Sequence, residues 1–190
     1  MSRTGMRGTR ANGAGTVGAL RRLGALARDG VRATRECITS PADAWLAARM
    51  AAWALVLPLL KRVVPLPRLV QLMVVPPKGA DRDTARDTAR ERRVVALSRL
   101  LYAPLVRADI GCLQRSLLAY RFLGAAGARP SLLVGMRREG GEMHGHAWVT
   151  VDGEPAGEPA AWVGQFSPVL VFGSEGARAA APTTNPVTTP

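Results

Sequence analysis

The sequence predicts an α+β domain, with a helical N-terminal half followed by a helix packed on a small antiparallel sheet. Apolar residues recur at helical spacing as far as Leu123, and beyond Pro130 they alternate between Gly-rich turns. Size agrees: 190 residues at 47% hydrophobic content suffice for one buried core with tails and hardly for two. The expected division is a basic arm over 1–40, a folded domain over 41–178 and a Pro/Thr-rich tail over 179–190.

Residues 1–40, rich in Gly, Arg, Ala and Thr, predict an unstructured arm with at most a weak helix over 18–28. No signal-type apolar run follows Arg3, Arg7 and Arg10, because Arg21 and Arg22 interrupt residues 17–26. No secretory leader is expected, and the chain reads as cytoplasmic. Ser40-Pro41-Ala42-Asp43 is a helix start: Ser as N-cap, Pro at the first helical position and an acid three residues after the cap. The helix is expected to end near Pro58, which removes a donor and crowds the preceding turn.

The most hydrophobic stretch, from Met50 to Leu60, is closed by Lys61 and Arg62 and falls short of the roughly 20 residues that span a bilayer. A buried helix is expected there rather than one on a membrane surface. A second apolar helix is expected over 66–75, before Pro76-Pro77 imposes an extended link. Residues 81–93 hold a DTAR-DTAR duplication whose five Arg and four acids pair at helical spacing on a solvated face. That helix should continue over 94–102, burying Val94, Leu97, Leu100 and Leu101, and stop at Pro104.

From Ile110 the pattern changes. A helix over 112–123 is marked by Leu113, Leu117 and Tyr120 and closes at Gly124. A strand over 132–137, a hairpin loop over 139–142 and a partner strand over 144–151 follow. Asp152-Gly153 then turns the chain into a short third strand, which Pro155 and Pro159 confine to an edge. Residues 169–172 predict the last strand.

The net charge of +12 suggests nucleic acid, but its distribution excludes that reading. Residues 1–40 hold eight Arg against Asp29 and Glu36, half of the excess, whereas residues 109–158 hold five Arg against six acids. The most patterned stretch therefore carries no basic groove, and no aromatics interleave with the basic residues. Two cysteines 75 positions apart make neither a disulfide framework nor a four-Cys zinc site.

Cys112 follows Gly111 where a helix begins, and a helix N-terminus favours a thiolate. The histidines are His144 and His146. On the second strand His146, Trp148 and Thr150 share one face, with Ala147, Val149 and Val151 on the other. If the Cys112 helix packs across the hairpin, His146 can point at its N-terminus and exchange a proton with the thiol. Asp152, Glu154 and Glu158 are the carboxylates available to orient the imidazole. On these residues alone two readings stand: nucleophile and base, or a small buried cysteine and a structural strand histidine. Arg115, one turn into the helix, either helps to hold the thiolate or a carboxylate, or makes a surface pair. Trp148 is expected to pack over the site. His144 competes as base, but a zinc site of Cys112, His144 and His146 lacks a fourth ligand, so no metal or cofactor is expected. Cys37 is assigned no role.

Gly111-Cys112-Leu113-Gln114-Arg115-Ser116-Leu117, then Leu133-Val134-Gly135-Met136, Gly145-His146-Ala147-Trp148-Val149 and Val151-Asp152-Gly153 resemble the transglutaminase-like cysteine peptidases of lasso-peptide biosynthesis. The resemblance covers residues 44–173 and is densest over 110–158. It implies a transglutaminase/papain-like core with Cys112 as nucleophile and His146 as base. The family places an Asp after the Asp-Gly turn. Here Glu158 stands in that segment, its carboxylate about 1.5 Å further out, with Asp152 in reserve. The implied function is leader removal from a ribosomal precursor, after which an ATP-dependent cyclase closes the ring. Residues 1–40 lack the strand patterns of a leader-recognition domain, so the chain resembles the stand-alone peptidase half. Its implied partners are the precursor peptide, a separate recognition protein and the lasso cyclase. The recognition protein is expected to dock on the apolar helices between residues 44 and 75, with membrane-surface contact not expected. The competing readings are a transglutaminase-like acyl transferase and a non-catalytic scaffold.

Overall fold

The computed structural model describes residues 40–75, 86–106 and 111–180. Most of the arm, the weak helix over 18–28, Cys37, Pro76-Pro77, residues 81–85 of the DTAR stretch and the tail from residue 181 lie outside these. The described elements run α1 (Pro41–Val63), α2 (Leu66–Met73), α3 (Thr88–Val106), α4 (Cys112–Gly124), β1 (Pro130–Glu139), β2 (Glu142–Val151), β3 (Glu154–Pro155), α5 (Ala160–Val163), β4 (Ser167–Phe172) and β5 (Arg178–Ala179). The strands form one antiparallel sheet in the order β3-β2-β1-β4-β5. The α+β class expected from the sequence is the one observed.

The Ser40 hydroxyl accepts from the Asp43 amide at 3.2 Å, and the Asp43 carboxylate accepts from the Ser40 amide at 3.0 Å, a reciprocal cap. Asp43 also pairs with Arg93 at 2.9 Å, fixing the start of α1 to α3.

Pro58 does not end α1, contrary to the sequence expectation. Proline at 58 leaves the Ala54 carbonyl without its usual helical donor, and the Tyr102 hydroxyl of α3 donates to that carbonyl at 3.2 Å. Leu57, fully buried, anchors the same turn. The helix therefore crosses the proline because a neighbouring helix supplies the missing bond. Helix α3 likewise runs past Pro104, to Val106. Its buried stripe is Val94, Leu97 and Tyr102, with Leu100 and Leu101 only half-buried.

Helix α4 is the centre of the molecule. Leu117, Leu118, Tyr120, Phe122 and Leu123 surround its axis and are all buried. It lies between α1–α3 and one sheet face, which contributes Leu132, Val149, Val151 and Phe172 to the same core. The other sheet face carries a smaller cluster of Leu133, Trp148, Val171, Val163 and Phe166, the last two from α5 and the turn after it. The sequence reading missed α5 and β5, and Ala179, assigned to the tail, pairs with Val171.

Burial pushes the Tyr102 phenol up to about 12 from its ordinary 10.0. Because the folded value is the higher one, the stabilising contribution is complete below pH 10 and is lost as pH rises towards 12. Equilibrium urea unfolding is expected to show stability falling across this window, and Tyr102→Phe should flatten that fall. The same variant should cost about 1–2 kcal/mol at neutral pH by stranding the Ala54 carbonyl.

Candidate active site

Cys112 is the first residue of α4 and is half-buried. Gly111, its N-cap, provides no side-chain bond to the first turn, so the first-turn amides have neither intrahelical partners nor a capping side chain. One turn on, the Ser116 hydroxyl donates to the Ala147 carbonyl at 2.8 Å. Strand β3 is only two residues long, and the Ala156 amide bonds the Val149 carbonyl at 2.8 Å. Carbonyls two apart face the same strand edge, so Ala147 presents its oxygen where β3 has run out. Ser116 takes that place and fixes the first turns of α4 at the open edge of β2, next to His146.

The sequence reading had His146 able to point at the N-terminus of α4 if that helix packed across the hairpin. Helix α4 does pack there, but on the Val149 and Val151 face. His146 lies on the opposite face, its ring stacked on Trp148 (centroids 6.1 Å apart, planes 14° apart) and 5.0 Å from the Phe166 ring. Trp162 of α5 approaches edge-on at 6.3 Å. Trp148 therefore packs against the histidine, as expected.

Glu158 joins the two sides around the edge. Its Oε2 lies 2.7 Å from His146 Nε2, and its Oε1 accepts from Nη2 of Arg115 in α4. The three side chains are nearly buried, with 10–12% of their surface exposed. Arg115 stands three residues after Cys112 and is the carboxylate partner that the sequence offered as one reading. One Glu158 carboxylate thus reaches both the imidazole and the guanidinium. Burial draws the Arg115 guanidinium below its ordinary value, neighbouring Cys112 acts in the opposite direction, and Arg99 adds to the lowering.

Asp152, the reserve carboxylate, is placed elsewhere. It occupies a tight turn at φ 53°, is exposed, and pairs with Arg86. Glu154 is exposed on β3. His144 stands opposite Arg137 on β2.

Beside the site, two glycines are required by close approach. Gly135 faces His146 across β1–β2, and a Cβ there would lie 2.8 Å from Trp148 and 2.9 Å from the Ser167 carbonyl. Gly157 has φ +87°, and a Cβ would meet Val95 of α3 at 2.4 Å. Only glycine lets the chain turn there and deliver Glu158 to the edge.

Sequence reasoning missed Trp162, Phe166 and Arg137, whose guanidinium lies 4.9 and 5.1 Å from the two ring centroids. The signal was present: Pro159 followed by Trp162, Val163 and Phe166 at helical spacing, too short a run to read as a helix.

A family model described as the transglutaminase-like superfamily matches residues 47–171, about two-thirds of the chain. The chain belongs to the transglutaminase-like superfamily. The superfamily includes cysteine proteases and transferases, and its match encloses Cys112, Arg115, His146 and Glu158. No curated protein and no solved structure matches the chain.

Gly157→Ala combines an unfavourable backbone conformation with a clash against Val95. It should lower stability by about 2 kcal/mol or more, seen in thermal unfolding. Gly124→Ala, where a Cβ meets nothing within 4 Å, should leave the melting temperature close to wild type.

Proposed function

We propose that this protein is a cysteine peptidase that removes the leader from a ribosomally made lasso-peptide precursor, freeing the core peptide for a partner cyclase that forms the macrolactam ring. The observation that carries the peptidase reading is the Glu158 carboxylate, 2.7 Å from His146 Nε2 and bonded to Arg115 on the helix that Cys112 opens. The lasso-peptide assignment rests on the Cys-Leu-Gln-Arg-Ser-Leu and His-Ala-Trp-Val blocks.

In this reading Glu158 holds the imidazole proton on Nε2, so that Nδ1 is the nitrogen that exchanges a proton with the thiol. Cys112 sulfur attacks the carbonyl carbon of the last leader residue, and the developing oxyanion meets the first-turn amides of α4. The C–N bond then breaks as the imidazolium protonates the leaving amine. Water, deprotonated by His146, hydrolyses the thioester and returns the thiol. In the thiolate–imidazolium form Cys112, His146, Glu158 and Arg115 alternate in sign and sum to zero, which limits the cost of keeping them out of water. Arg115 is a positioning residue: it keeps Glu158 ionised and aimed. The other implied partner, a separate recognition protein, would present the leader.

The protein is to be incubated with the precursor and recognition protein from its own genomic neighbourhood and the products weighed. Wild type should release leader plus one water. Cys112→Ala and His146→Ala should release none, and Glu158→Gln should be slower by about 10³-fold. Ammonia loss with a crosslink would instead identify an acyl transferase, and an unchanged product in Cys112→Ala would identify a scaffold.

A substrate-free test follows alkylation of Cys112 by iodoacetamide against pH in a Cys37→Ser background. Glu158→Gln and Arg115→Met should both move the alkylation midpoint to higher pH, with Arg115→Lys intermediate. An unmoved midpoint in Arg115→Met would remove the positioning role.

A further inference from the structure

Helix α1 was expected to be buried, and it is buried on one side only. Leu46, Met50 and Leu57 enter the core, Trp53 stacks under the Arg121 guanidinium of α4 at 4.3 Å, and Tyr102 bonds the Ala54 carbonyl. The opposite side is apolar as well. Trp45 (67% exposed), Leu55 (77%), Val56, Leu59 and Val63 (76%) all face outward, and Leu72 of α2 is exposed beside them. From 45, the spacings 48, 52, 55, 59 and 63 lie on one helical face, with Ala48 and Ala52 completing it. The stripe is about 27 Å long.

Charge selects what covers it. Residues 44–75 contain Arg49, Lys61, Arg62 and Arg68 and no acid at all, and all four cations are exposed. Arg62 falls on the line of the stripe, one turn beyond Leu59. Arg68, with Val63, Pro65 and Leu72, lines a groove of about 480 Å³ at the corner between α1 and α2. A long apolar stripe with exposed basic side chains beside it and no acid matches a helix lying in a bilayer interface, where aliphatic side chains enter the acyl boundary and basic ones stay at headgroup level. Helix α1 has 23 residues, with an 18-residue stretch at mean hydropathy 1.4, which by length and composition is enough to cross a membrane. The bonds that hold the inner side of α1 to α3 and α4 place the helix along the surface instead.

We propose that the outer face of α1, with the α1–α2 corner, docks the protein on an anionic lipid surface. Leu55, Leu59 and Val63 enter the acyl boundary, and Arg62 and Arg68 meet the phosphates. This is the region where the sequence led us to expect a recognition protein rather than a membrane, and the lipid surface takes that place. The face is independent of Cys112 and His146, so its test is separate from that of the peptidase reading.

The full chain is to be sedimented with vesicles of phosphatidylcholine alone and of phosphatidylcholine mixed equally with phosphatidylglycerol. Wild type should bind the mixed vesicles and be released by salt, with little binding to phosphatidylcholine alone. Leu55→Ser/Leu59→Ser should weaken binding by about tenfold or more, and Arg62→Glu/Arg68→Glu by about a hundredfold. Both sets replace exposed side chains, and circular dichroism verifies that the variants fold. The proposal is overturned if wild type ignores anionic vesicles, or if Leu55→Ser/Leu59→Ser binds them as wild type does, which would assign binding to the basic arm. It is equally overturned if light scattering shows a dimer that this double variant dissociates, since a second copy would then own the face.

Discussion

The site depends on one carboxylate bonded to two elements that no local interaction brings together. Glu158 follows β3, His146 sits within β2 and Arg115 lies in α4, yet one oxygen of Glu158 serves each partner. Removing any one member leaves a nearly buried charge or imidazole without its complement, which a low-dielectric site tolerates poorly. The bridge also joins candidate site residues that lie on opposite faces of a sheet. Helix α4 packs against one face and His146 belongs to the other, so they meet around an edge. That edge exists because β3 is two residues long.

The supporting structure repeats this logic of supplying from elsewhere what a local sequence withholds. Pro58 costs α1 a backbone bond, and Tyr102 replaces it from α3. The Ala147 carbonyl lacks a strand partner, and Ser116 replaces it from α4. Tyr120 of α4 donates to the Gly173 carbonyl at 2.6 Å and accepts from the Gly176 amide at 3.1 Å, holding the turn after β4. Helix α4 thus carries the first site residue, the clamp on Glu158 and anchors to both ends of the sheet, and its near-complete burial follows from that position.

The sequence read well where period and punctuation agree. The Ser40 cap, the start of α4 at Cys112, the β1–β2 hairpin and the Asp152-Gly153 turn all involve neighbours in the chain. It read poorly where distant groups decide. Pro58 and Pro104 looked like helix ends because a local rule cannot foresee a donor 44 residues away from Pro58 or the packing of α3. The short helix carrying Trp162 is too brief to show a period, and only the sheet face it covers makes it stable.

By itself, the sequence determined the α+β class, the helix N-terminus under Cys112, the alternation that puts His146 and Trp148 on one strand face, and Glu158 in the segment that follows. These are consequences of residue type and spacing along one element. The tertiary structure decided that Glu158 rather than Asp152 reaches the imidazole, that Arg115 binds this carboxylate, and that the outer side of α1 is left exposed. Each of those is settled by which elements become neighbours, and long-range packing sets that through shape and burial that no local pattern encodes.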